Sequence, residues 1–132
     1  MKLAVDTNVL VRAVVRDHAK QAKAAEKVLR EATLIAVSLP CLCEFVWVLR
    51  RVYAFETTDI VAAIQALLET GNVVMNRPAV ESGLAFLQAG GDFADGIMAH
   101  EGTWLGGETF VSFDKQAVKL LKQQGQSAKL LV

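Results

Sequence analysis

Four acidic residues stand at positions along the chain where their carboxylates could hold a divalent cation. Asp6 and Asp114 each follow a short apolar run, and Glu44 and Asp95 lie early in segments with helical periodicity. Carboxylate oxygens are the ligands that Mg²⁺ and Mn²⁺ prefer. Such an acidic site is suited to phosphodiester hydrolysis, because the ion lowers the pKa of a bound water and stabilises the attacking and leaving oxygens.

Three of these acids also have a purely structural explanation. Asp6 and Asp114 are suited to cap the helices that follow them. Asp95 stands three residues after Asp92, in a pattern much like a capping box. Capping alone could therefore account for each of these residues, and the metal hypothesis depends on their joint occurrence.

Glu44 is harder to explain as a structural residue. It interrupts the otherwise apolar stretch of residues 39–49. An unpaired charge in an apolar setting is costly, so Glu44 is expected to need a cation, a buried partner or a wet cleft. A solvated helix surface is the alternative.

The elements that must position these acids alternate between strands and helices. Short apolar runs predict buried strands at residues 3–5, 34–37, 73–75, 109–112 and 128–132. Helical patterns lie between them, which predicts a three-layer α/β/α sandwich with a mainly parallel central sheet. We expect a single domain over residues 1–132. In open sheets of this kind ligands bind beyond the carboxyl ends of the strands, where all four acids are expected.

Composition restricts the function less than the acids do. Of the 132 residues, 53% are hydrophobic and 21% are charged, which excludes a disordered chain. Lys+Arg and Asp+Glu both number 14, so no basic excess indicates a nucleic-acid partner. No signal peptide is apparent, and no apolar run reaches the ~20 residues that span a bilayer. A cytoplasmic protein without a membrane partner is expected.

The two cysteines, Cys41 and Cys43, are spaced neither as a zinc site nor as a redox pair. We expect buried or partly buried thiols in a reducing compartment. His18 and His100 are isolated, and a satisfied packing role is expected for His100. Asn8 stands where a haloacid-dehalogenase-type phosphatase needs its second acid, which disfavours that class of enzyme.

Four segments together resemble the PIN-domain family, in particular the VapC-type toxins of bacterial toxin–antitoxin pairs. They are residues 6–10 (DTNVL), 44–49 (EFVWVL), 92–97 (DFADGI) and 111–115 (VSFDK). The resemblance covers essentially the whole chain, and it implies a Mg²⁺- or Mn²⁺-dependent endoribonuclease that uses a metal-activated water. It implies catalytic, metal-holding roles for Asp6, Glu44, Asp95 and Asp114. It implies supporting roles for Thr7, Asn8, Asp92 and Ser112, the last of which keeps the hydroxyl of the Thr usual in the family.

The resemblance also implies partners. RNA is the expected substrate, with loops of transfer or ribosomal RNA as targets, and Arg12, Arg16 and Lys115 are possible phosphate contacts. A homodimer is expected, neutralised by a small VapB-like antitoxin that buries a peptide in an apolar groove. Apolar residues that could build such surfaces are Trp47, Val48, Tyr53, Phe55 and Trp104, although core packing is the favoured interpretation for any one of them. The alternative function is a non-catalytic PIN module for RNA binding or assembly.

Overall fold

Strands and helices alternate along the chain, and the α/β class is confirmed. The computed structural model describes residues 1–132. The strands are β1 (Lys2–Ala4), β2 (Leu34–Ala36), β3 (Val73–Val74), β4 (Phe110–Ser112) and β5 (Ala128–Leu130). The helices are α1 (Thr7–Val15), α2 (Ala19–Glu31), α3 (Leu39–Arg51), α4 (Thr57–Glu69), α5 (Arg77–Gln88), α6 (Phe93–Trp104) and α7 (Lys115–Gln123). None of these helices is long and apolar enough to cross a membrane.

The chain divides into two compact units, residues 1–77 and 78–132. The single domain expected over residues 1–132 stays a prediction. In unit 1, a parallel sheet has the order β1-β2-β3, with Leu3 opposite Ile35 and Ile35 opposite Val73. Ile35 and Val73 are buried, as short apolar strands of a parallel sheet usually are. The Asn72 side chain ties β3 to the end of α2, because its Nδ2 donates to two carbonyls there.

Unit 2 contains the parallel pair β4-β5 and the helices α5 to α7. Its buried cluster is built from α5, α6 and α7, with partly buried residues of β4 and β5 packed against it. The members of this cluster are Phe86, Ala99, Ala117, Leu120 and Leu121. Apolar packing thus holds α5, α6 and α7 together in this unit.

Helices α5 and α6 approach each other closely through glycines. A Cβ on Gly96 would lie 2.8 Å from the Ser82 carbonyl oxygen and 2.8 Å from the Phe86 Cβ. A Cβ on Gly83 would lie 2.8 Å from the Phe93 ring. The Ser82 oxygen belongs to the backbone, which cannot rotate away. Gly96 thus allows the helix that carries Asp95 to pack against α5.

Gly96→Ala is expected to lower the free energy of unfolding by roughly 1–3 kcal/mol, because overpacking outweighs the better helix propensity of Ala. Gly102→Ala is the matched control on the same helix, since a Cβ there would meet no atom within 4 Å. The control is expected to raise stability by about 0.5–1 kcal/mol. Urea denaturation measures both changes, and equal effects of the two substitutions would refute the close approach.

The segment between α1 and α2 contains Arg16 and His18. Helix α1 ends at Val15, and Arg16 follows in the left-handed conformation with φ 59°. Arg16 therefore lies outside the helix that carries Arg12. His18 caps α2, because its Nδ1 accepts a hydrogen bond from the Gln21 amide at 3.2 Å.

Candidate acidic site

Asp6 directly precedes α1 and caps it. Its Oδ1 accepts a hydrogen bond from the Thr7 amide at 2.7 Å, and the side chain is exposed. Thr7 is buried, and its hydroxyl donates to the Cys41 Sγ at 3.8 Å. The start of α1 is thereby attached to the first turn of α3.

Helix α3 begins with residue types that favour a helix start. Ser38 is the N-cap, its hydroxyl accepts from the Cys41 amide at 3.3 Å, and Pro40 lies in the first turn. Glu44 follows in the second turn. The Glu44 side chain is exposed, which agrees with the solvated helix surface that was its alternative interpretation. The buried residues of α3 occupy the opposite face of the helix: Cys41, Leu42, Phe45, Val46 and Leu49.

The charges of Asp6 and Glu44 both affect the thiol of Cys41 in unit 1. Burial raises the pKa of the Cys41 thiol, the hydrogen bond from Thr7 opposes the rise, and the charges of Asp6 and Glu44 raise the pKa further. Two carboxylates that both repel the same thiolate lie in the same neighbourhood. Asp6, before α1, and Glu44, in the second turn of α3, thus both lie near Cys41.

The other two candidates begin helices of unit 2. Asp114 caps α7, where its Oδ1 accepts from the amides of Gln116 and Ala117 at 2.9 and 3.1 Å. Ser112 supports this turn, because its hydroxyl accepts from the Asp114 amide at 2.9 Å. Asp92 caps α6, where its Oδ1 accepts from the Ala94 amide at 3.0 Å. Asp95 lies in the first turn of that helix, as predicted.

The pKa of the Asp95 carboxyl is shifted from its ordinary value. Burial raises the pKa of its carboxyl, and the charges of Asp92 and Asp114 raise it further. The carboxylates of Asp92 and Asp114 thus lie close enough to Asp95 to act on it, at the N-terminal ends of α6 and α7. A fold that keeps such repulsion in place marks a candidate functional site, because perturbed carboxyls cluster where chemistry occurs.

Capping and cation binding do not exclude each other at these positions. The capping bonds of Asp6, Asp92 and Asp114 all end on Oδ1. The second oxygen of each carboxylate is left for a cation. The capping bond therefore orients each carboxylate and leaves its second oxygen able to bind a cation.

The chemistry of the candidate ligands suits a hard cation. Their geometry suits it only in part. Every candidate ligand is a carboxylate, which suits Mg²⁺ or Mn²⁺. Neither unit holds a group of three or more His, Cys, Asp or Glu side chains placed to bind a metal ion. Mg²⁺ keeps several waters and is commonly bound by one or two carboxylates. The residues of each unit thus fit a hydrated ion bound by few side chains.

A comparison with protein families supplies the decisive observation for the fold. The model of the PIN domain matches residues 3–120. The chain belongs to the PIN domain family. PIN domains are commonly nucleases, and the match runs through all four candidate carboxylates. No curated protein matches the chain.

The basic residues expected near this PIN site differ in their surroundings. Arg12 is held by unit 1 itself, since its Nε donates to Gln21 at 2.6 Å and its Nη1 donates to Asp17 and to the Tyr53 hydroxyl at 3.2 Å. Arg16 pairs with Glu26 at 3.2 Å. Lys115 is exposed, follows Asp114 directly and forms no ion pair. Of the three, Lys115 is the one best placed to contact a phosphate.

The sequence did not predict one contact at the site and the exposure of two tryptophans. The Thr7–Cys41 contact joins two helix starts that are far apart in sequence, and no local pattern reports it. Trp47 and Trp104 are 57% and 84% exposed, although core packing was the expectation for each taken singly. His100 is a satisfied side chain as expected, since its Nδ1 lies 3.0 Å from the Ser82 hydroxyl.

Proposed function

We propose that this PIN domain is an endoribonuclease that depends on Mg²⁺ or Mn²⁺ and uses Asp6, Glu44, Asp95 and Asp114 as its metal-holding carboxylates. The observation that carries the proposal is the placement of Asp92, Asp95 and Asp114 at the starts of α6 and α7, where burial, followed by the charges of Asp92 and Asp114, raises the pKa of the Asp95 carboxyl. A divalent cation relieves such repulsion. None of the four proposed carboxylates forms an ion pair with a Lys or Arg side chain.

The chain's own residues would perform three tasks in this reaction. Asp6 and Asp114 present one oxygen each while their capping bonds hold the carboxylate in orientation. Ser112 supports the turn before α7, Asn8 supports the site from the first turn of α1, and Lys115 contacts the phosphate backbone. When bound, the cation lowers the pKa of a water molecule and offsets charge on the phosphate.

The toxin part of the proposal rests on the resemblance of the four segments to VapC-type proteins. An apolar groove of about 540 Å³ in unit 1 supports a peptide partner such as a small VapB-like antitoxin. It is lined by residues of α1, α2 and α4, together with Phe55. The exposed Trp47 supports a homodimer. A cytoplasmic location completes the proposal and agrees with two cysteines that form no disulfide.

The alternative is a non-catalytic PIN module that binds RNA or assembles with other proteins. It requires no acidic cluster, so losing one or more of the four carboxylates would favour it. All four carboxylates are present in this chain. The alternative is therefore not favoured.

Incubation with total cellular RNA tests the proposed activity. With Mg²⁺ or Mn²⁺ we expect discrete cuts within single-stranded loops, and with excess chelator we expect none. Adding Mg²⁺ back to the chelated sample is the control and should restore the same cut sites. Intact RNA under every metal condition, or cuts that persist in chelator, would refute metal-dependent cleavage.

A further inference from the structure

Unit 2 carries a cavity of about 650 Å³ that none of the proposed metal ligands lines. It lies between the C-terminal end of α6 and the beginnings of β4 and β5. Asp114 follows the opposite, C-terminal end of β4. The cavity is therefore distinct from the acidic residues of this unit, and its volume falls in the range of small-molecule sites.

One wall of the cavity is held in place by backbone hydrogen bonds. The Leu105, Gly106 and Gly107 amides donate to carbonyls of the last turn of α6 at 2.8 to 3.0 Å. Gly106 has φ +109°, and a Cβ on Gly107 would lie 2.9 Å from the Gly102 carbonyl oxygen. On the other wall the Thr109 and Ser127 hydroxyls lie 2.9 Å apart. The cavity is thus formed before any ligand arrives.

The lining has the chemistry of a site for a flat, uncharged ring that carries N–H donors. Trp104 lines the cavity and is 84% exposed, so one indole is available for stacking. His100 also lines the cavity. Its Nδ1 is engaged in the hydrogen bond with Ser82, which leaves its Nε2 for a ligand. Glu108 contributes the single charged side chain, and no Lys or Arg lines the cavity. A phosphate is disfavoured there, whereas a nucleobase is suited to it.

We infer that this cavity binds a nucleobase, with guanine preferred, by stacking on Trp104 and by donation to Glu108. Guanine presents two neighbouring N–H donors on its Watson–Crick edge, which a carboxylate can accept together. Uracil presents one N–H between two carbonyls, which the carboxylate repels. The inference rests on the proposed function, because the RNA substrate would supply the base. That base is an unpaired guanosine bound away from the cut site.

Indole fluorescence tests the inference without any cleavage. Trp47→Phe leaves Trp104 as the only tryptophan, since the chain has two. This variant is titrated with GMP, AMP, CMP and UMP in chelator. We expect saturable quenching with GMP bound most tightly and UMP most weakly. A uridine oligonucleotide with one central guanosine is expected to bind more tightly than GMP, and tighter binding of GMP would indicate a free nucleotide as the ligand.

Variants identify the groups that make the contact. Glu108→Gln is expected to remove the preference for GMP over UMP, whereas Glu101→Gln, on α6 but outside the cavity lining, should keep it. Calorimetry with GMP should show Trp104→Ala weakened by roughly tenfold or more and Trp104→Phe largely rescued. Quenching that is equal for all four nucleotides, or GMP affinity that Trp104→Ala leaves unchanged, would overturn the inference.

The two proposals can fail separately. Guanine binding in a protein that never cleaves RNA would refute the ribonuclease and leave the base site standing. Metal-dependent cleavage in a protein whose Trp104 is not quenched by GMP or by the oligonucleotide would refute the base site alone.

Discussion

Asp6→Asn is expected to slow Mg²⁺-dependent RNA cleavage by about 100-fold or more while leaving stability nearly unchanged. Asn caps a helix as well as Asp does, and its Oδ1 can still accept from the Thr7 amide. What the substitution removes is the negative charge that would hold the cation, which is worth several kcal/mol of transition-state stabilisation. Single-turnover cleavage of an RNA substrate and thermal unfolding of the same preparation measure the two effects.

Asp59→Asn is the matched control for this result. Asp59 is another exposed acid in the first turn of a helix of unit 1, and no ion pair involves it. The control should cleave at the wild-type rate. An Asp6→Asn variant that also cleaves at that rate would remove Asp6 from the mechanism.

Asp95→Asn is expected to abolish cleavage and, at neutral pH, to make the protein more stable. Burial and the neighbouring Asp92 and Asp114 raise the pKa of Asp95 above its ordinary value of 3.8. The folded state therefore binds a proton more tightly than the unfolded state, so stability falls as pH rises from the ordinary pKa through the raised one. Asn carries no charge and escapes this loss. After discounting for partial solvent screening, we expect a gain in Tm of roughly 1–3 °C at pH 7.

The pH dependence separates this cause from a general stabilisation. The difference in Tm between Asp95→Asn and the wild type should be smallest below the ordinary pKa and should grow toward neutral pH. Mg²⁺ should raise the Tm of the wild type more than that of the variant, because a bound ion stabilises only the state that holds it. A variant less stable than the wild type at pH 7 would contradict the repulsion inferred at Asp95.

Local chemistry along the chain predicts the helix starts well. Asp6, Asp92 and Asp114 cap α1, α6 and α7 as expected, because an N-cap acts on amides two or three residues away at most. Ser38 and Pro40 likewise mark the start of α3. The alternation of strand and helix is equally local, and with it the α/β class of the PIN fold was predictable.

Exposure was less predictable, because it depends on which helix face meets the rest of the unit. Glu44 was expected in an apolar setting from its sequence neighbours. On a helix those neighbours point in other directions, and Glu44 shares the exposed side of α3 with Trp47 and Arg51. The case for Glu44 as a ligand now depends on its position near Cys41 beside Asp6 and on the family resemblance.

The binding of Mn²⁺ to the wild type, Asp6→Asn and Asp95→Asn, followed by calorimetry without RNA, tests the central claim most directly. We predict that the wild type binds the ion and that each substitution weakens the affinity by roughly tenfold or more, since each removes a charged ligand. Asp59→Asn should bind like the wild type. A wild-type protein that binds no Mn²⁺, or unchanged affinity in both variants, would contradict the assignment of these carboxylates as metal ligands.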